Sequence, residues 1–285
     1  MTRISAFAKV NLGLKILNKR EDGYHNIETT LTTVSLSDKL LIEKSLEGIT
    51  VVCPALKIPA EENLCYKAAK LFLSYYNLQE GVKITIQKNI PVGGGLGGGS
   101  SDAAGVIKGL AQLFALKPSY EEMINLAKQI GCDVPFFLTG GAAYARGRGD
   151  ELKFFKLPKM SLIIYYPGYP ISTKWAYEEY DRLVLTQTPI LGNITPEEKR
   201  KKARTGFSLD NDFEKVVFKA HPDLLDVKSN LLNAGAFMVS LSGSGSCLFA
   251  VVDEHTKKKV IKYLSGIGAV YFEAETVPAS MPNNY

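Results

Sequence analysis

Val82-Lys83-Ile84-Thr85-Ile86-Gln87 alternates apolar and polar residues as a strand does, and Pro91-Val92-Gly93-Gly94-Gly95-Leu96-Gly97-Gly98-Gly99-Ser100-Ser101-Asp102 follows almost at once. Beyond it, Ala103, Val106, Ile107, Leu110, Leu113 and Phe114 recur at three- and four-residue steps, so Ser101 to Ala115 reads as an amphipathic helix. The unit is strand, glycine loop, helix. Six of the 25 glycines fall between Gly93 and Gly99, where backbone amides freed of side chains meet the positive end of a helix dipole. That is an anion site, and the length of the loop suits a polyphosphate. Gly94-x-x-x-x-Gly99-Ser100-Ser101 has Walker A spacing, but Ser100 stands where the phosphate-binding lysine is required. Gly93-x-Gly95-x-x-Gly98 meets the dinucleotide pattern as any glycine run would, and a second helix, Tyr120 to Ile130, occupies the place where an acid-ending strand is needed. A different nucleotide loop is called for.

Upstream, Ala6, Ala8, Val10, Leu12, Leu14 and Ile16 alternate along a strand, which places Lys9 and Asn11 on one common face. Asp22-Gly23 marks a turn, and Glu28 to Val34 and Lys39 to Glu43 read as two more strands. Leu64 to Tyr76 has helical spacing. Tyr120 to Ile130 ends at Gly131 in the C′ position, and Asp133 follows in a turn. The pattern restarts after Gly149 to Pro158, so the chain divides into two domains, 1–152 and 153–285. The second half runs strand Ser161 to Tyr166, helix Lys174 to Leu183, a polar loop, and a basic helix opened by Thr195-Pro196-Glu197-Glu198 and carrying Lys199, Arg200, Lys201, Lys202 and Arg204. Helices around Asp212 to Lys219 and Leu224 to Asn233 lead to a strand at Phe237 to Leu241 and the turn Ser242-Gly243-Ser244-Gly245-Ser246. A strand at Leu248 to Val252, a helix at Glu254 to Leu264 and a strand near Ala269 to Phe272 close the pattern before a loose tail. This mixture is α+β.

Composition excludes several classes. A net charge of +5 with one dense basic run, best read as a solvated helix, does not make a nucleic-acid surface. Cys53, Cys65, Cys132 and Cys247 contain no Cys-x-x-Cys pair, so neither a zinc knuckle nor a redox motif is expected. No stretch has the ~20 apolar residues of a membrane span, and the start of the chain lacks a signal-peptide core; a cytoplasmic location is expected. Nothing in the sequence calls for an obligate protein partner.

Phosphoryl transfer to an alcohol needs positioning, positive charge for the moving group, and a carboxylate for the hydroxyl proton. Lys9 and Asp133 could supply the last two. On pattern alone each also reads as a surface lysine on a strand and a turn aspartate.

These segments together resemble the GHMP kinases, small-molecule kinases named for galactose, homoserine, mevalonate and phosphomevalonate. The loop Pro91 to Ser101 is similar to that family's ATP loop, and Leu241-Ser242-Gly243-Ser244-Gly245 to its C-terminal glycine motif. Ala6-Phe7-Ala8-Lys9-Val10-Asn11-Leu12-Gly13-Leu14, Arg20-Glu21-Asp22-Gly23-Tyr24-His25 and Gly131-Cys132-Asp133-Val134-Pro135-Phe136-Phe137 are similar to one branch. The likeness runs the whole length. It implies a ribosomal protein S5 domain 2-like N-terminal domain, a ferredoxin-like C-terminal domain, and a cleft between them. It implies transfer of the γ-phosphate of ATP, with Mg2+, to the 2-hydroxyl of 4-diphosphocytidyl-2-C-methyl-D-erythritol, in the methylerythritol phosphate route to isoprenoid precursors. Asp133 would be the base and Lys9 its charged partner. Pro91, Val92, Gly93, Gly94, Gly95, Leu96, Gly97, Gly98, Gly99, Ser100 and Ser101 would hold ATP, with Asn63 near the adenine. Tyr24 and His25 would hold the cytosine with Tyr177 on its other face; Asn11 would touch the erythritol, and Gly243 and Ser244 would complete the substrate cleft. The magnesium ligands are not identified beyond phosphates, water and Ser101. Gly94 stands where many members carry alanine, and Asp150 where glutamate is commoner. The competing expectations are a kinase for homoserine, mevalonate or a sugar, which have no base to stack, and an RNA-binding module.

Overall fold

The computed structural model describes residues 1–56, 58–186 and 209–279. Six strands form the first sheet: β1 (Thr2–Lys19), β2 (His25–Ser45), β3 (Ile49–Val52), β4 (Gly81–Gln87), β5 (Ala142–Arg146) and β6 (Glu151–Phe155). One edge of β2 pairs with β1 along nearly its whole length. The other edge is shared, Lys39 to Ser45 pairing with β4 and Thr29 to Thr32 with β5. The two strands expected from Glu28 to Val34 and Lys39 to Glu43 are therefore one. Between them the pairing with β1 carries a register shift, Phe7 facing Ser37 while Ala8 faces Val34. Strands β5 and β6 escape sequence reading because Ala142, Ala143 and Ala145 carry no apolar alternation, and pairing with β2 rather than propensity makes β5 extended.

That shift decides where β1 points. Without it Ala6 and Ala8 would share a face. With it, Ala6 packs in the first core, beneath α1 (Leu64–Tyr75), α2 (Gly98–Leu113), α3 (Tyr120–Ile130) and α4 (Val134–Thr139), where Phe72, Ile84, Ile107, Leu110 and Phe136 are fully buried. Ala8, Val10 and Leu12 turn instead toward the second sheet, against Leu162, Ile164 and Phe249. Lys9 and Asn11 emerge between them on the opposite face. A capping box between Ser119 and Glu122 starts α3, and Gly131 ends it with φ 176°, an extended conformation and not the left-handed C′ glycine that was expected.

The second sheet has the order β10-β7-β9-β8, all antiparallel, from β7 (Ser161–Tyr166), β8 (Met238–Leu241), β9 (Leu248–Val252) and β10 (Val270–Glu275). α5 (Thr173–Thr186), α6 (Glu214–Ala220) and α7 (Pro222–Asn233) lie in chain order between β7 and β8, and α8 (Glu254–Gly266) between β9 and β10. This is the ferredoxin-like arrangement, and the α+β expectation holds. Both faces of the sheet are covered: Ile163 and Tyr165 meet the helices, while Leu162 and Ile164 meet β1. Each such buried side chain contributes about 1.5–3 kcal/mol. Backbone bonds join the two sheets, Leu14 N to Asp210 O and Asp212 N to Leu14 O at 2.9 Å, and Val277 N to Thr33 O at 2.9 Å. The basic helix expected after Thr195 and the tail beyond residue 279 lie outside the described residues. Among those residues no helix is long and apolar enough to cross a membrane.

Candidate functional site

A cleft of about 510 Å³ opens between the sheets. One wall is the glycine loop, Pro91 to Ser100, and the opposite wall carries Tyr24, Arg148, Gly149, Tyr177 and Phe213; Lys9, Asn11, Asp133, Gly243 and Ser244 lie between. Of the residues expected at the site, Asn63, Ser101 and His25 do not line it.

The loop owes its shape to glycine. Gly97 caps α2 with φ 68°, and the first intrahelical bond runs from Ser101 N to Gly97 O at 2.9 Å, so the amides of Gly98, Gly99 and Ser100 precede the helical ladder and are available to an anion. Gly95, at φ +76°, sits so close to the second turn that a Cβ would stand 1.8 Å from the Ser242 carbonyl oxygen. The loop is clamped from behind. Ile171 N donates to Gly93 O at 3.2 Å and Cys247 N to Gly94 O at 3.1 Å. Asn211, buried, donates to the carbonyls of Leu241 and Gly243 at 3.0 and 2.8 Å, which fixes the shape of the second turn.

Lys9 is buried, and its ammonium donates to Asn11 Oδ1 at 2.5 Å and to Gly95 O at 2.7 Å. Burial pulls this ammonium below its ordinary value, and the nearby Asp133 carboxylate opposes the shift. Asn11 Nδ2 donates to Thr29 Oγ1 at 2.9 Å, fixing the carboxamide so that its oxygen faces Lys9. Asp133 is the N-cap of α4 yet makes no side-chain capping bond: its backbone is helical (φ −83°, ψ −16°) rather than extended, and Pro135 in the first turn has no N–H to offer. Its half-buried carboxylate is left to face the cleft.

On the acceptor side, Tyr177 stacks on His25 with centroids 4.6 Å apart and planes 10° from parallel, and Phe213 meets Tyr177 edge-on at 4.8 Å. Burial first, with Asp133 and Cys132 adding, pushes the Tyr177 hydroxyl up to about 12, so the ring is neutral. Tyr24 is exposed and lies under the Arg148 guanidinium at 5.4 Å. His25 is buried against Tyr177 and gives Nε2 to Asp181 Oδ1 at 2.7 Å.

Sequence reading missed Lys88, Arg148, Thr173, Asn211 and Asp181. Asp181 alone carried a signal, standing one helical turn beyond Tyr177 on the same face of α5. Lys88 reaches the cleft from a buried cluster in which its ammonium pairs with Asp38 and, at 2.9 Å, with Asp102 at the start of α2. Asn63 accepts from Cys65 N at 2.9 Å as the cap of α1, next to Leu64, which together with Leu56 gives the cleft an apolar edge. Ser101 donates its hydroxyl to Phe7 O at 2.7 Å, below the floor of the cleft. Among the described residues no group of three His, Cys, Asp or Glu side chains could hold a metal.

Family models for the GHMP kinases N terminal domain and the GHMP kinases C terminal match residues 63–141 and 195–269. The 4-diphosphocytidyl-2-C-methyl-D-erythritol kinase of Syntrophus aciditrophicus is 40% identical over 268 residues, covering 93% of this chain and 95% of that protein. The enzyme of the same name from Chlorobium phaeobacteroides (strain BS1) is 41% identical over 259 residues, covering 88% and 89%. A crystal structure of a 4-(cytidine 5'-diphospho)-2C-methyl-D-erythritol kinase superposes with a TM-score of 0.78 at 33% identity, over 96% of this chain and 98% of that one. Identity of 40–41% over nearly the whole of both chains, together with the two family models, shows the family: the chain belongs to the GHMP kinases, in their 4-diphosphocytidyl-2-C-methyl-D-erythritol kinase branch.

Proposed function

We propose that the chain transfers the γ-phosphate of ATP to the 2-hydroxyl of 4-diphosphocytidyl-2-C-methyl-D-erythritol, giving the 2-phosphate and ADP in the methylerythritol phosphate route to isoprenoid precursors. The observation that carries this is the pairing, across one cleft, of a helix-opening glycine loop with an aromatic wall of Tyr24, Tyr177 and Phe213. The first suits a polyphosphate donor and the second a nucleobase acceptor.

Asp133 accepts the proton of the attacking hydroxyl as general base. Lys9, anchored on Asn11 and Gly95, sets positive charge beside that carboxylate and the reacting oxygens. The amides of Gly98, Gly99 and Ser100 cradle the phosphates, Leu56 and Leu64 flank the adenine, and Asn63, whose oxygen is spent on its cap, has its amide nitrogen for the base. Tyr24 and Tyr177 hold the cytosine, Asn11 faces the erythritol, and Ser244 with its partner Thr173, at 2.9 Å, closes the substrate side beside Gly243. Mg2+, held by the nucleotide phosphates and water, would supply positive charge to the transferring phosphates. The reaction runs in the cytoplasm, where both nucleotides are soluble pools.

The test is ADP release by the purified protein with ATP, Mg2+ and each acceptor in turn. The cytidyl acceptor is expected to stimulate turnover and homoserine and mevalonate to leave it at background. Stimulation by either of those but not by the cytidyl compound overturns the reading.

A further inference from the structure

The two oxygens of Asp181 are both engaged by the β1–β2 hairpin: Oδ1 receives His25 Nε2 at 2.7 Å and Oδ2 receives the Lys19 ammonium at 2.7 Å. Asp181 belongs to α5 of the second body, whereas Lys19 and His25 close the β1–β2 hairpin of the first. Burial raises the Asp181 carboxyl, and the hydrogen bonds from Lys19 and His25 outweigh it and hold the group below its ordinary value, so it is ionised at neutral pH. An ionised carboxylate only accepts. Nε2 of His25 must therefore carry the proton, and in the neutral ring Nδ1 carries a lone pair. Stacking on Tyr177 at 4.6 Å fixes the ring plane, and a half-turn within that plane would put a carbon in place of Nε2 and forfeit the 2.7 Å bond to Asp181. Nδ1 has no partner among the described residues.

We propose that Asp181 is a positioning residue for base discrimination: it holds His25 as the Nε2–H tautomer, so that Nδ1 accepts from the exocyclic amine of cytosine and meets the carbonyl of uracil lone pair to lone pair. This rests on the reading that the nucleobase lies against Tyr24, His25 and Tyr177. Lys19 sharpens the assignment. In an Asp181→Asn protein Lys19 claims the amide oxygen, which turns the amide nitrogen toward His25. Nε2 must then accept, and the proton moves to Nδ1, which donates.

The experiment compares kcat/KM for the cytidyl acceptor and its uridyl counterpart at pH 8, and reads the His25 tautomer from 15N shifts of the imidazole, in the wild type, Asp181→Asn, Asp181→Glu and Lys19→Met. Asp181→Asn is expected to cut the cytidyl preference by about tenfold or more, through KM, with kcat within about threefold, and to move the ring proton to Nδ1. Asp181→Glu restores the preference, and Lys19→Met, which leaves the carboxylate on Nε2, keeps both tautomer and preference. If Asp181 served only as a strap between the two bodies, Lys19→Met and Asp181→Asn would lose activity alike with the preference unchanged, and that result overturns the proposal. So does an unchanged tautomer in Asp181→Asn, or a wild-type ring protonated on both nitrogens. Failure of the underlying site is separate: Tyr24→Ala and Tyr177→Ala would then leave KM for the cytidyl acceptor unchanged, whatever the tautomer.

Discussion

The Lys9 ammonium donates to the Gly95 carbonyl at 2.7 Å, so the residue that brings charge to the reacting centre is held by the loop that binds the phosphates. The Ser242 hydroxyl donates to the same oxygen at 2.9 Å, and a single carbonyl joins β1, the glycine loop and the second turn. Replacing Gly95 by alanine strikes this joint directly, with a Cβ 1.8 Å from the Ser242 oxygen and a left-handed φ. Gly95→Ala is expected to lose about 3 kcal/mol of stability or more and to raise KM for ATP at least tenfold, measured by urea denaturation and initial rates. Normal values for both would show that the loop and turn separate freely.

Asp133→Asn keeps the shape of the side chain and removes the proton acceptor. Turnover is expected to fall by about 10²–10⁴-fold while calorimetry gives dissociation constants for ATP and acceptor within about threefold of the parent. Near-normal turnover removes the general-base role. Lys9→Ala is expected to lower kcat strongly. In the parent, loss of the Lys9 charge brings an alkaline decline in kcat below pH 10.5, because burial has lowered that group; the residual activity of Lys9→Ala lacks this limb.

Gly94 is tightly enclosed, and an added Cβ would lie 2.6 Å from the Cys247 Sγ. Gly94→Ala alone is expected to destabilise by about 1–3 kcal/mol through overpacking. Adding Cys247→Ala makes room, so the double variant is expected to be more stable than the sum of the single changes by about 1 kcal/mol or more. Simple additivity in a thermal or chemical denaturation cycle would rule out this contact as the cause.

Asp102 shares Lys88 with Asp38, and its Oδ1 is buried without a hydrogen-bond partner. Burial, with Asp38 adding and Lys88 opposing, pushes its carboxyl up to about 7 from 3.8. Between those two values the native state retains a proton that the unfolded chain has released, so this group erodes stability as pH rises from about 4 to 7, and the loss is complete above 7. Asp102→Asn removes that penalty. It is expected to be more stable than the parent by about 1–2 kcal/mol at pH 8, after the lost ion pair is set against the gain, with the advantage fading as pH falls toward 4. An advantage that grew at low pH would reverse the assignment.

Much of the first body was legible along the chain. The strand before the glycine loop, the helix after it and the alternation in β1 are local periodicities, and they appear wherever one face of an element must be apolar. The Phe7/Ala8 shift was not legible, because Ser35 and Leu36 continue the apolar-polar run of β2 without a break; only pairing with β1 reveals them as extra residues. Lys88 was invisible for a related reason, since its partners Asp38 and Asp102 lie 50 and 14 residues away.

By itself the sequence determined that a glycine-rich turn opens a helix directly after a strand, which is enough to predict a phosphate site because amide exposure and the helix dipole are properties of a dozen consecutive residues. Family resemblance supplied the acceptor. Only the tertiary structure decided that Lys9 emerges into the cleft rather than onto an outer surface, that Asp133 keeps a free carboxylate, and that His25 turns its back to Asp181. Those outcomes depend on residues between 86 and 156 positions apart along the chain being brought within 2.7 Å, as Lys9 is to Gly95 and His25 to Asp181. No local pattern encodes such contacts, because what enforces them is the packing of two sheets against one shared strand.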